Sequence, residues 1–493
     1  MPKRVAIIDI GSNSARVVIY QRTSRFGFHL IAQKKANVRI AEGSFENDGV
    51  LQERAIQRAI EALKNFHATI REYKVRKIIV IATAAVRNAP NRSNFIQRVR
   101  KEVGLNIKVI DGHKEAYFGA VAAKNLLPLQ HQSITVDIGG GSCDIALIEN
   151  GNILETISLD IGTITLKELF FDKNRSIDEA KAYILKELEK IPKSFLNAKQ
   201  IITIGGVLRA LSKSLITLSN YSYNKIHAFE YTISNYYSHF EAIITAQDSE
   251  TLAKLYIKAN RYDTIRQGVL IFLMLSEYLN IQQVITSSVG VREGVFLHDM
   301  LRGVGGKFPK ELNPSIISIL DRLDLLKISK KRNLKILQEL FRLFQQAYKL
   351  NENYLKLLKD AIQISDTGKT LTIYNEHKHT FYIAQEELNW QYTHKEMLLI
   401  AAIVRTNREK LLYKTFYKAH KQLLPSKNIL ELLSLIYNLS NTLASYASLE
   451  NYSFKLENQR VTIQSRNELY LLKEELQTFA LPKNLQLNYS IKE

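Results

Sequence analysis

The sequence predicts an α/β protein of two similar lobes, each a sheet flanked by helices, followed by a mainly helical third part. Three observations carry this. A strand–turn–strand unit occurs twice, as Asp9-Ile10-Gly11-Ser12 and Asp137-Ile138-Gly139-Gly140, each after one apolar run and before another. Between these units and as far as Ser287, strand-length apolar runs alternate with segments of helical period. From about Pro309 glycine almost vanishes, and Leu, Lys, Asn and Tyr dominate. The expected domains are 1–128, 129–304 and 305–493.

The elements follow in order. Residues 3–10 are β-branched and apolar, Gly11 to Ser14 form a polar turn, and 16–20 return as a second strand. Residues 30–40 continue as a third strand. Over 51–73, Leu51, Ala55, Ile56, Ala59, Ile60, Leu63, Phe66 and Ile70 recur at helical spacing with one buried face. Residues 77–82 form an apolar strand, 94–103 a helix stopped by Gly104, 107–110 a short strand and 114–127 a helix. The pattern then restarts with strands at 133–138 and 144–149. Asn150-Gly151 is a hairpin turn signal, and 153–159 follows it. Strands at 200–204 and 283–287 flank a buried helix over 262–278. Helices are expected at 332–348, 354–364, 395–404 and 428–446, and the end reads as hairpin (454–464), helix (468–478) and strand (485–491).

The chain has 493 residues, 46% of them hydrophobic, which gives ample core for several domains. Its one cysteine, Cys143, excludes an internal disulfide framework and favours a reducing compartment. No apolar signal core precedes the first strand, and the longest apolar run, 269–275, is too short to span a bilayer, so a cytoplasmic protein without membrane contact is expected. The net charge of +20 points to a polyanionic partner. Zinc-finger spacing and an RNA-binding signature are both lacking, so nucleic acid is not the expected partner.

The two turns carry the chemistry. Gly- and Ser-rich turns expose consecutive backbone N–H groups, which bind phosphate through fixed dipoles. Asp9 and Asp137 close the strands just before them. A carboxylate beside bound phosphate is repelled unless a cation bridges the two. Magnesium suits that role, taking one or two carboxylates together with phosphate oxygens. Read without the repeat, each turn is simply a tight hairpin using glycine for its geometry. Glu115 stands in the first turn of a helix, where a carboxylate serves either as general base or as a partner of the helix dipole.

Together these segments resemble the exopolyphosphatase / guanosine pentaphosphate phosphatase (Ppx/GppA) family, a branch of the actin-like (ribonuclease H-like, ASKHA) superfamily. The residues are Ile8-Asp9-Ile10-Gly11-Ser12-Asn13-Ser14, 82–89 with Arg87, Gly112 to Ala116, Asp137 to Asp144, and Ser288-Val289-Gly290-Val291-Arg292-Glu293-Gly294. They occur in the family's order over roughly the first 300 residues. The resemblance implies Glu115 as the catalytic glutamate, Asp137 as a magnesium ligand (to which the turn argument adds Asp9), and Gly11, Ser12, Asn13, Ser14, Gly139, Gly140, Gly141 and Ser142 as phosphate loops. It implies Arg87 as a contact to substrate phosphates. Asp144 stands where a Glu acts as a second catalytic or magnesium-linked carboxylate, with its reach shorter by about 1.5 Å. Cys143 replaces a Thr, Val207 stands where a Thr often follows the glycine pair, and Lys114 replaces a Glu and is expected to lower the Glu115 pKa.

The third domain resembles the helical HD-type extension of long family members with its metal motif eroded. Ser365 stands before Asp366 in place of His, Asn407 replaces another His, and His377 and His379 remain. No metal chemistry is expected there, but rather a longer basic groove and a dimer contact. The resulting expectation is magnesium-assisted hydrolysis of terminal phosphoanhydride bonds in inorganic polyphosphate or guanosine pentaphosphate. The alternatives are a non-catalytic sensor of guanosine polyphosphates or RNA, and a kinase of the same superfamily.

Overall fold

A computed structural model of the chain describes residues 3–44, 47–173, 175–446 and 452–492. The chain divides into two compact units, Met1–Glu311 and Leu312–Glu493.

The first unit contains the repeat. β1 (Lys3–Ile10) pairs antiparallel with β2 (Ala15–Arg22), and β2 with β3 (Phe28–Ala36). On its other side β1 runs parallel to β4 (Lys77–Ala82), which is parallel to β5 (Ile107–Val109). The order is β3-β2-β1-β4-β5. β6 (Ser133–Ile138), β7 (Cys143–Glu149), β8 (Asn152–Leu159), β9 (Gln200–Ile204) and β11 (Gln283–Thr286) repeat that arrangement with the same parallel and antiparallel pairings. β10 (Phe229–Thr232) is added antiparallel at the far edge.

The strands are apolar on both faces because helices cover them. Ala6, Ile8 and Ile10 join the buried side of helix Glu53–Glu72 in one core. Ile134, Val136 and Ile138 join the helix Ile265–Tyr278 in another. The hairpin signal holds at Asn150-Gly151, where both residues have positive φ, 50° and 72°.

The third strand ends at Ala36, four residues earlier than expected. Val38 and Ile40 are still buried, but the backbone N–H groups of Arg39 and Ala41 donate to the carbonyls of Asn13 and Ser12 (3.0 and 3.3 Å). This segment leaves the sheet to brace the first turn. The short helix Ala84–Arg87 inside the 82–89 motif was also unexpected.

The second unit packs the helices Lys331–Tyr348, Asn353–Ile364, His394–Val404 and Lys427–Tyr446 around Leu337, Leu340, Phe341, Phe344 and Leu358. The helices Pro314–Leu323 and Glu376–Glu387 escaped the sequence reading. The end forms a small sheet, β12 (Ser453–Glu457), β13 (Arg460–Ser465) and β14 (Gln486–Ile491), with β14 parallel to β13. Among the described residues no helix is long and apolar enough to cross a membrane.

Candidate active site

The two repeated turns close in the same way. Gly11 N–H donates to the Ser14 carbonyl (3.2 Å) and Gly139 N–H to the Ser142 carbonyl (2.9 Å). This bond tightens each hairpin. The N–H groups of Ser12, Asn13, Gly140 and Gly141 are left without a protein acceptor among the described residues. Both turns line one cleft of about 220 Å³, and Glu115, Asp9 and Asp137 line it with them. The N-termini of the helices Gly206–Leu218 and Val291–Leu301 also open onto it, adding the positive ends of two helix dipoles.

Glu115 sits in the first turn of the helix Gly112–Leu126, which Asp111 caps by accepting from Lys114 N–H (2.7 Å). Gly112 permits this placement: a Cβ there would lie 2.1 Å from Ser158 Oγ and 3.1 Å from Asp144 Oδ1. Arg87 Nη1 reaches Glu115 Oε2 (3.4 Å) and donates to the Ile110 carbonyl (3.1 Å). Arg87 therefore stands behind Glu115 and outside the cleft lining, whereas the sequence reading set it against the phosphates. Burial raises the Glu115 carboxyl well above its ordinary range, and the negative charges of Asp144, Asp137 and Asp9 add to this; Arg87 opposes them. Lys114 is exposed and is not among these main causes, and the carboxyl is raised rather than lowered.

Asp144 is buried beneath the second turn. It accepts from Ser158 Oγ (2.5 Å) and from Ser142 Oγ (3.1 Å), and it does not line the cleft. Burial raises its carboxyl, against the two hydroxyl hydrogen bonds. Cys143 points the other way, into the second lobe's core, so the thiol does not face the site. Val207 lines the cleft while packing on that same core.

The Asp137 carboxylate accepts no hydrogen bond among the described residues, and its Oδ1 lies where a Cβ of Gly205 (φ +87°) would come within 2.3 Å. Burial pushes its carboxyl up to about 6, although Arg209 and Arg292 act against the shift. Asp9 accepts from Arg292 Nη1 (3.2 Å), yet burial still raises it.

Several cationic residues of the cleft were given no role from the sequence. Arg16, Lys35, Arg209, Arg261 and Arg292 all line it. Arg209 is fixed by the carbonyls of Gly205 (2.7 Å) and Ser288 (2.6 Å), and burial lowers it to about 10. Arg16, Lys35 and Arg261 have no ion-pair partner among the described residues, and burial lowers all three. For Arg16 and Lys35 the neighbouring arginines lower them further. A second cavity of about 710 Å³ shares Arg16, Gly206, Arg209 and Arg261 with the cleft and adds Lys213 and Lys258 without any carboxylate. The spacing Asp9 to Arg16 matches Asp137 to Asp144 in the two hairpin registers, which is a signal that could have exposed Arg16.

Two N–H turns, a half-buried glutamate and cations without ion-pair partners among the described residues thus share one cleft in a unit built of two repeated sheets. The sequence model of the Ppx/GppA phosphatase family matches residues 18–303, more than half of the chain. The chain belongs to that family, and it is a hydrolase of phosphoanhydrides. It is 25% identical to a guanosine-5'-triphosphate,3'-diphosphate pyrophosphatase of Pseudoalteromonas translucida over 418 residues, 82% of this chain and 81% of the relative. The crystal structure of the Aquifex aeolicus Ppx/GppA family member is 29% identical, with a TM-score of 0.53 over 62% of this chain and 99% of that one. An exopolyphosphatase from Cytophaga hutchinsonii shares the fold (TM-score 0.56, 24% identity, 62% of this chain and 100% of that one).

Proposed function

We propose that the chain releases orthophosphate from the end of a phosphate chain, acting on inorganic polyphosphate, on guanosine pentaphosphate (giving the tetraphosphate), or on both. The observation that supports this most is Glu115 lining the same small cleft as both phosphate turns. The terminal phosphate lies against the free N–H groups of the turns. Glu115 accepts a hydrogen bond from a water aligned with the terminal phosphorus and takes its proton as the new P–O bond forms. The bond to the bridging oxygen breaks, and the charge on the leaving phosphate is met by the turn N–H groups and by Arg16, Arg261 and Arg292. The raised Glu115 pKa makes it a stronger base than an ordinary carboxylate. Arg87 fixes its direction. The rest of the substrate runs into the larger cationic cavity.

Asp137 is an unpartnered, desolvated carboxylate whose pKa is raised, and such a group fits a divalent cation. Asp9 beside it is held by Arg292. Among the described residues no group of three or more His, Cys, Asp or Glu is placed to hold a metal by itself. Asp137, with Asp9 beside it, would hold magnesium here. When bound, it neutralises phosphate charge. Asp144 acts from below, by holding Ser142 of the second turn.

The test is orthophosphate release with magnesium from long-chain polyphosphate and from guanosine pentaphosphate, for wild type and Glu115→Ala. Release that collapses in the variant is expected, and the faster substrate names the activity. Release that survives removes Glu115 as the base. Binding without release from either substrate would establish the sensor.

A further inference from the structure

The second unit holds a cavity of about 660 Å³ that the hydrolytic reaction does not use. It opens among the start of the helix Lys331–Tyr348, the turn after Asn353–Ile364, the start of Glu376–Glu387, the loop after His394–Val404, and one face of Lys427–Tyr446. Its size lies within the roughly 300–1,000 Å³ of small-molecule pockets.

One side of its lining is cationic, while on another side Arg408 pairs with Glu475 (2.9 Å) and Glu409 (4.0 Å). Lys330, only 16% exposed, donates to Ser365 Oγ (2.9 Å) and pairs with Asp366. Lys369 pairs with the other oxygen of Asp366 (2.8 Å). One carboxylate therefore holds two ammonium groups, and the cluster keeps a net positive charge. An ammonium has three donors. Lys330 uses two and Lys369 one, so three remain. Arg332, on the same lining, has no hydrogen bond or ion pair among the described residues. The ammonium groups also occupy Asp366, so it is not offered to a metal.

The remaining lining has a different chemistry. Glu376 makes no ion pair among the described residues, and the side-chain amide N–H of Asn407 is unbonded there as well. These groups suit a ligand that brings N–H donors and acceptors of its own. We propose that this cavity binds a nucleoside phosphate, with its phosphate on Lys330, Lys369 and Arg332 and its base edge on Glu376 and Asn407.

The experiment is equilibrium dialysis of the full chain against guanosine and adenosine monophosphates, with inorganic pyrophosphate as the bare-anion probe. The double substitution Arg332→Ala/Lys369→Ala is expected to weaken nucleotide binding by at least about tenfold, since two charge-assisted contacts are lost. Orthophosphate release should stay at the wild-type rate. Arg261→Ala in the catalytic cleft should leave the binding intact. The proposal is overturned if binding is lost with Arg261→Ala and not with the double variant, if pyrophosphate binds as tightly as either nucleotide, or if no saturable binding occurs. Should the double variant melt early, Arg332→Ala alone, at an exposed position, decides the same question.

Discussion

Glu115 shows how a few ångströms of context decide what a residue does. In the sequence it is a carboxylate in a first helical turn, equally at home as a dipole partner. In the structure burial comes first among the causes that raise its pKa, with Asp144 second. A general base works deprotonated, so a raised pKa moves the acid limb of the rate profile upward. We expect the acid limb of kcat/KM to lie at higher pH than the ordinary carboxylate range near 4. Asp144→Asn removes the second cause, so the limb should move to lower pH. A pH profile of kcat/KM for both proteins checks this, and an unmoved limb would detach Asp144 from the base. Arg292 offers a second case, its pair with Asp9 being mostly buried at 15% and 19% exposure. Removing one partner of such a pair strands a desolvated charge. Arg292→Ala is expected to destabilise by about 3 kcal/mol. Adding Asp9→Asn should restore part of that loss in urea melts, and additive losses would mean the two are uncoupled.

At the scale of the element, the helix Gly112–Leu126 positions the base, and its entry depends on close contact with β8. A methyl at Gly112 meets Ser158 Oγ at 2.1 Å and Ser158 Cβ at 2.3 Å, so something must shift. Gly112→Ala should cost about 1–3 kcal/mol by overpacking. It should also lower kcat more than KM, because it displaces Glu115 without touching the phosphate turns. Equal effects on both parameters would place the damage in the whole cleft. These elements also show what a sequence discloses. The strand–turn–strand units were readable because each sets a short glycine- and serine-bearing turn between two apolar, β-branched runs, and both lobes repeat that pattern. Helices with one apolar face were readable from their period. The helix Glu376–Glu387 was not, since only Thr380, Ile383 and Ala384 are buried in it and its histidines and lysine mask the stripe. The cleft's arginines were hidden for another reason. Arg16 lies on a strand, Arg209 and Arg292 on two helices and Arg261 before a third, and only the fold brings them together. Arg87 shows what a motif leaves open: its Nη1 is shared between Glu115 and the Ile110 carbonyl, a pairing that the sequence does not disclose.

For the molecule as a whole, the formal charge of +20 gains meaning only through its placement. A basic surface distributed evenly attracts every polyanion weakly. Here Arg16, Arg209 and Arg261 belong to both the phosphate cleft and the larger cavity beside it, and Lys213 and Lys258 extend the row without a carboxylate to offset them. Each phosphate neutralised by such a row releases a condensed counterion. By analogy with single-stranded nucleic acid, log affinity then falls with log salt at a slope of about −0.7 per contact. On the proposed path a long polyphosphate reaches the whole row, whereas orthophosphate reaches only the turns. We therefore expect the KM for long-chain polyphosphate to rise steeply with potassium chloride, and inhibition by orthophosphate to respond weakly. Lys258→Ala should reduce the polyphosphate slope by roughly one contact and leave kcat at low salt unchanged. Lys258 lines the second cavity and not the cleft, so on the proposed path it meets the chain behind the terminal phosphate. A slope that stays at the wild-type value in Lys258→Ala would mean that the substrate leaves the cleft by another route and that the second cavity belongs to something else.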